Sequence, residues 1–286
     1  MAVVAITGSS SGIGLAAALA FARRGDRVFA CVRDMNKADN LMRLADSEQL
    51  DIKLIELDVT EPESFPSVLA GVVESARSLD VLVNNAGLLR PGAFEDMPEL
   101  DFRRVMETNF FGPMLLTRAA LPLMRRQGQG MIIMISSLSG VAGLAGDVSY
   151  SASKFALEGA TEALRHEVDR WGIRMALVLG SQYQTGLFSN GGAEALPATE
   201  SAYAPLIDYK IKQNASSLTT ANKPEDLAKL LLEIADSDGS RLRWCADELA
   251  ENVLRTLHAQ NDFERDEFLQ MAGDSRWWSA CGDQPE

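Results

Sequence analysis

The sequence predicts a single-domain, doubly wound α/β fold: a mostly parallel sheet of seven strands with helices on both faces. Three observations predict it. Short apolar runs alternate with stretches of helical periodicity along most of the chain. A glycine-rich turn joins the first apolar run directly to a helix. The 286 residues, 47% of them hydrophobic, provide apolar surface for one large core.

Taken in order, Val3 to Ile6 reads as a buried strand, Thr7 to Gly14 as the glycine turn, and Leu15 to Arg24 as a helix stopped by Gly25. Glycines let the backbone approach a pyrophosphate, while the helix start offers unpaired N–H groups and the positive end of its dipole. The setting points to nucleotide binding. Arg27 to Val32 is the second strand, ending at Arg33-Asp34, and a helical run follows to Ala45. Ile52 to Leu57 is the third, ending at Asp58-Val59-Thr60. Asp58 either accepts a hydrogen bond from an adenine amino group or caps a turn. Asp80 to Val83 is the fourth, closing on Asn84-Asn85-Ala86-Gly87.

From about Pro98 to Arg126 the pattern is helical, with a kink or break expected at Gly112-Pro113 near the polar Asn109. Met131 to Ile135 is the fifth strand and leads into Ser136-Ser137. A long helix runs from near Tyr150 to about Trp171, and Arg174 to Leu179 is the sixth strand. Ligands in open α/β sheets sit at the carboxyl ends of strands, where Gly8, Arg33, Asp58, Asn84 and Ser137 all fall. The stretch from Gly180 to about Lys223 is expected to be irregular, either a lid or substrate loop or only a mobile connection. Helices over Pro224 to Ala235 and Glu248 to Gln260 flank a seventh strand within Arg241 to Cys245. The domain is read as residues 1–250, with the substrate loop at about 186–223 and a helical extension of the same domain at 251–286. Trp277-Trp278 is read as packing or a subunit contact.

A net charge of −13 would repel nucleic-acid phosphates and anionic lipid surfaces. Cys31, Cys245 and Cys281 are far apart, and with His166 and His258 they form no metal-ligand spacing. The expected protein is cytoplasmic and soluble, without a metal site. The chemistry concentrates at Tyr150 and Lys154, four residues apart and therefore on one helix face. A nearby ammonium favours the phenolate and is expected to move the Tyr150 pKa down toward neutrality, which suits a general acid or base.

Together these motifs resemble the short-chain dehydrogenase/reductase family over roughly residues 1–250, with its Rossmann sheet. Thr7 to Gly14 matches the family's cofactor motif and Asn84 to Gly87 its Asn-Asn-Ala-Gly motif. Asn109, Ser137, Tyr150 and Lys154 match its catalytic tetrad, and the thirteen residues from Ser137 to Tyr150 select Ser137 over Ser136. The resemblance implies hydride transfer between a nicotinamide and a carbinol or carbonyl carbon. In it Tyr150 is the proton donor or acceptor, and Ser137 hydrogen-bonds the reacting oxygen. Lys154 holds the nicotinamide ribose and tunes Tyr150, and Asn109 anchors a proton-relaying water. It implies cofactor contacts from Gly8, Ser10, Ser11, Gly12, Ile13, Gly14, Arg33, Asp58, Val59, Asn85, Ala86, Gly87 and Thr185, besides Tyr150 and Lys154.

At the family's discriminating position Val32 is apolar and Arg33 follows, which favours NADP(H) over NAD(H) because arginine pairs with a 2′-phosphate. Asp34 argues the other way. Gly180-Ser181 stands where the family has Pro-Gly, a departure that touches the role of Thr185. Tyr150 to Gly159 resembles the 17β-hydroxysteroid and retinol dehydrogenase branch and implies a bulky apolar alcohol or ketone, met by side chains such as Leu187, Phe188, Leu196, Tyr203, Leu206 and Ile207. A homodimer or homotetramer is the implied assembly. Two alternatives are a dinucleotide-binding regulatory protein without turnover and a non-redox dehydratase or epimerase on the same fold.

Overall fold

The computed structural model describes residues 1–185, 187 and 201–280. Seven parallel strands form one sheet in the order β3-β2-β1-β4-β5-β6-β7. They are β1 (Val3–Thr7), β2 (Arg27–Val32), β3 (Ile52–Glu56), β4 (Val81–Asn84), β5 (Gly130–Ile135), β6 (Ile173–Leu179) and β7 (Arg243–Cys245). The five inner strands are short and almost wholly apolar because both of their faces are covered, whereas the edge strands β3 and β7 carry half-buried and charged positions.

Alternate residues of one strand serve different cores. In β1, Val4 and Ile6 face the cluster under α1 (Gly12–Arg23), α2 (Asp39–Glu48) and α8 (Pro224–Asp236). Val3 and Ala5 face the opposite cluster, under α3 (Phe65–Ala76), α5 (Gly112–Gln127) and α6 (Val148–Val168). The alanine run Ala16, Ala17, Ala18 keeps α1 slim where it packs against α8.

The expected interruption before Pro113 takes a definite form. Helix α4 (Glu99–Met106) passes into a π-helical turn over Glu107–Phe111, and α5 restarts with Pro113 in its first turn, where a missing N–H does no harm. The bulge turns Asn109 inward, where it is 1% exposed.

The expectation of an irregular segment up to Lys223 is corrected in part. Ala204–Leu218 form a helix, α7, whose Pro205 sits in the first turn as a start signal rather than a breaker. Gly186, Phe188, Gly191, Gly192, Leu196 and Pro197 lie outside the described residues. After β7 come α9 (Glu248–Ala259), α10 (Asp262–Ala272) and the single turn α11 (Arg276–Ser279). Trp277 and Trp278 pack within the chain, edge-on to Tyr209 at 5.6 Å and against Tyr203 at 6.2 Å. These contacts tie the C-terminal extension to α7.

One charge pair joins the far edge of the sheet to α6. Arg243 donates to Glu158 at 2.8 Å and to the exposed Glu162 at 2.6 Å, and Glu158 is 4% exposed. Removing the arginine would strand a buried carboxylate. Arg243→Ala is expected to lose about 3 kcal/mol of unfolding free energy in urea. Adding Glu158→Leu should restore part of it, and an unchanged midpoint in the single variant would contradict the assignment.

Candidate active site

The site forms where strand order reverses between β1 and β4, and Thr7 holds those two strand ends together. Its hydroxyl accepts from the amides of Asn85 at 2.9 Å and Ala86 at 3.0 Å, and Asn85 Nδ2 donates to the Thr7 carbonyl at 2.8 Å. Gly8 follows with φ +70°, in the left-handed region, and a Cβ there would meet the Ala86 backbone at 3.0 Å. A Cβ on Gly14 would press into the Gly8 carbonyl oxygen and lie 2.6 Å from Asn85 Nδ2. The backbone is thus drawn tight beneath the start of α1. Its first-turn amides and dipole face a cavity of about 1850 Å³.

Gly8, Ser10, Ser11, Gly12, Ile13, Arg33, Asp58, Val59, Asn85, Ala86, Gly87 and Thr185 all line this cavity, together with Ser137, Tyr150 and Lys154. Two expected site residues stand behind its wall. Gly14 allows the close packing just described. Asn109 donates to the Leu88 carbonyl at 2.8 Å and to Ser153 Oγ at 3.0 Å, and accepts from the Leu88 amide at 2.7 Å. It thereby fixes the loop after β4 to α6, with both amide hydrogens committed. Asn84, expected at a ligand-facing strand end, instead turns back to Thr117 at 3.0 Å.

Lys154 is 4% exposed and donates to the carbonyl of Ile135, the last residue of β5, at 2.7 Å. Burial pulls its pKa down to about 8, and Glu158, one turn along α6, acts to raise it. The Tyr150 phenol does not follow the expected direction. Burial pushes its pKa up to about 12; hydrogen bonding to Ser137 acts to lower it, and the Asp147 charge raises it further. The Lys154 ammonium lies 5.6 Å from the ring centroid and is held toward Ile135, so desolvation outweighs its attraction for the phenolate. Tyr150 therefore keeps its proton at neutral pH and stands ready as an acid. Ser137, extended at the end of β5, also accepts from the Ser139 amide at 3.2 Å, whereas Ser136 packs toward Gly140 and Glu158.

At the second strand, Asp34 is occupied. Its carboxylate caps the 3-10 turn Met35–Lys37, accepting from the Asn36 amide at 3.0 Å and from the Asn36 side chain at 3.1 Å. Arg33 and Lys37 line the cavity. Lys37 was not singled out in the sequence, although a lysine one short turn beyond a capping aspartate was available as the signal. Asp58 caps its turn, Oδ1 accepting from the Thr60 amide at 2.9 Å, and the residue also lines the cavity.

The Gly180-Ser181 departure has a structural cause. A Cβ on Gly180 would lie 2.9 Å from the Tyr183 ring, leaving no room for proline. The Ser181 amide donates to Asp247 at 2.9 Å, and its hydroxyl, which the family's glycine would lack, accepts from Asn222 at 3.1 Å. Tyr183 also reaches Asp247 at 3.1 Å. Thr185 is carried against Gly12. Among the described residues no cluster with metal-ligand character occurs, no helix is long and apolar enough to cross a membrane, and Cys31 and Cys245 are free thiols. Cys281 lies outside the described residues.

A glycine cradle below a helix start, facing a Ser–Tyr–Lys constellation, defines a class of dinucleotide-dependent oxidoreductase. The comparisons agree. The family model for short chain dehydrogenase matches residues 2–194. The 3-ketodihydrosphingosine reductase of Bacteroides thetaiotaomicron is 35% identical over 273 residues, 90% of this chain and 98% of that one. Retinol dehydrogenase 8 of Bos taurus is 33% identical over 257 residues, covering 84% and 80%. The crystal structure of a short-chain dehydrogenase from Streptomyces avermitilis superposes with a TM-score of 0.80 at 34% identity, over 96% of this chain and 97% of that one. The chain belongs to the short-chain dehydrogenase/reductase family, in the branch resembling retinol and steroid dehydrogenases, and is an NAD(P)-dependent oxidoreductase acting on CH–OH and C=O groups.

The folded Lys154 titrates near 8 against an ordinary 10.5. Between those values the unfolded chain binds more protons, so this residue's contribution to stability rises with pH across that window and is least below it. Lys154→Met is expected to raise Tm at pH 7 by roughly 2–4 °C while lowering activity at least about 100-fold. An unchanged or lower Tm would contradict the burial cost. Gly14→Ala is expected to weaken dinucleotide binding about tenfold or more in fluorescence titration, because the cradle must open to admit the methyl group.

Proposed function

We propose that the chain transfers a hydride between NADP(H) and the carbonyl or secondary alcohol of a bulky, apolar substrate. The single observation that carries the cofactor choice is the capture of Asp34 by Asn36 and its own turn, which leaves Arg33 and Lys37 as the charges at that end of the cavity. Two cations suit a 2′-phosphate, and Asp34, held by its own turn, is not among the described residues that line the cavity. The residues Gly8 to Ile13 would hold the pyrophosphate, Asp58 and Val59 the adenine, Asn85 to Gly87 and Thr185 the nicotinamide half, and Lys154 its ribose. The bound cofactor supplies the hydride or accepts it.

The chain's own groups then manage the oxygen and its proton. Tyr150, protonated at neutral pH, donates to the carbonyl oxygen during reduction and takes the proton back during oxidation. Ser137 hydrogen-bonds that oxygen and stabilises the charge developing on it. Lys154 places a positive charge behind the phenol, and Asn109 positions the loop after β4 and the first turns of α6. An apolar substrate is supported by the lining contributed by Leu144, Leu187, Ile207, Val253 and Phe268, and by relatives named for retinol and 3-ketodihydrosphingosine.

Phe111 and Phe155 are each more than 40% exposed, on the π turn before α5 and on α6, which supports a homodimer or homotetramer built on those helices. The free thiols Cys31 and Cys245 suit a reducing, cytoplasmic setting.

NADPH oxidation should be followed with a panel of steroid, retinoid and long-chain ketones. Tyr150→Phe is expected to lower kcat by about 100-fold or more while NADPH still binds. NADPH binding by wild type without consumption on any carbonyl would instead favour a regulatory or non-redox protein. Arg33→Ala combined with Lys37→Ala should weaken NADPH about tenfold or more and leave NADH within about threefold; equal losses for both would refute the assignment. Sedimentation at micromolar concentration should give no monomer, and Phe155→Glu should release it.

A further inference from the structure

Asp147 opens α6 at the N-cap position, where an aspartate ordinarily turns back onto the first-turn amides. Its side chain makes no such bond. Instead the residue lines the cavity three positions before Tyr150, close enough for its charge to oppose ionisation of the phenol. Burial there pushes the Asp147 pKa up to about 6, and Lys210 on α7 acts in the opposite direction.

The Lys210 ammonium is engaged elsewhere, donating to the Gly273 carbonyl and, at 3.4 Å, to Gln213 Oε1. A Cβ on Gly146, beside Asp147, would lie 3.8 Å from Lys210 Cγ. Among the described residues, no side-chain hydrogen bond or ion pair closes on the Asp147 carboxylate. A half-buried carboxylate in a cavity that Leu144, Ile207 and Phe268 also line is under-solvated, and a donor arriving with a ligand would offset that cost.

We infer that Asp147 recognises a hydrogen-bond donor, a hydroxyl or a protonated amine, that the substrate carries next to the carbon bearing the reacting oxygen. This rests on the oxidoreductase reading of the same cavity and narrows its apolar ketones to those with an α-hydroxy or α-amino group. The neighbouring atom is inferred rather than a distant part of the substrate because Tyr150 addresses the oxygen itself and Asp147, on the same helix and lining the same cavity, precedes it by three residues, close enough for its charge to act on the phenol. Asp147 is a specificity-determining residue and takes no proton from the reacting centre.

The test compares kcat/KM of wild type and Asp147→Ser for three ketones of equal chain length: unsubstituted, α-hydroxy and α-amino. Serine retains the capping capacity of the position, so the fold should hold. Wild type should prefer the donor-bearing ketones, and that preference over the unsubstituted ketone should fall about tenfold or more in the variant, chiefly through KM. The ranking of hydroxyl against amine names the donor. Equal losses on all three ketones, or a wild type without preference, would overturn the inference.

Calorimetric binding of the matching long-chain amino alcohol to the NADP⁺-loaded protein separates the two readings. Binding that weakens about tenfold in Asp147→Ser, without turnover of any ketone, would keep the Asp147 site and sink the redox reading. Turnover without any difference in that binding would do the reverse.

Discussion

The site depends on the close approach of two parallel strand ends. At the reversal point of the sheet, β1 and β4 must run side by side and yet send their continuations to opposite faces. The Thr7 hydroxyl makes this possible by accepting both the Asn85 and the Ala86 amides, groups that the diverging strands leave without ladder partners. Gly8 and Gly14 then supply the two positions where a side chain cannot fit. The start of α1, the loop after β4 and the end of β5 are thereby set around one cavity, and every ligand-facing residue hangs from that arrangement.

Helix α6 is the second constraint, and it is electrostatic. It carries Tyr150, Lys154 and Glu158 at successive four-residue steps, so a phenol, an ammonium and a carboxylate share one face. Each is taken from water, and each is given a partner. Ser137 meets the phenol, the Ile135 carbonyl takes the ammonium, and Arg243 comes from the opposite end of the sheet to meet the carboxylate. Burial shifts the three groups differently. Tyr150 is held neutral, and Lys154 is brought close to its titration range. A charged lysine behind a protonated tyrosine is a sound resting state for reduction at neutral pH.

The substrate end is assembled from parts distant in sequence. Helix α7 and the C-terminal extension meet through Tyr209, Lys210 and Gln213 on one side and Gly273, Asp274 and Trp277 on the other. Phe268 and Val253 reach the same cavity as Tyr150. The extension is therefore part of the pocket wall.

Much of this was legible in the sequence. Apolar runs of four to seven residues between amphipathic stretches marked the inner strands of a parallel sheet, because a strand buried on both faces has little room for polar positions. Glycine at Gly8 and Gly14, and the spacing of Ser137, Tyr150 and Lys154, located the site, since backbone approach and helical phase are local properties. Other features required the tertiary structure. The direction of the Tyr150 pKa depends on how far burial outweighs a lysine held toward a strand carbonyl. The capture of Asp34, the fit of Gly180 against Tyr183, the helix at Ala204–Leu218 and the Asp147 carboxylate, without a partner among the described residues, likewise depend on neighbours that the chain order does not reveal. Local chemistry fixes which groups are present, and only packing decides which of them are satisfied by the protein and which are left for a ligand.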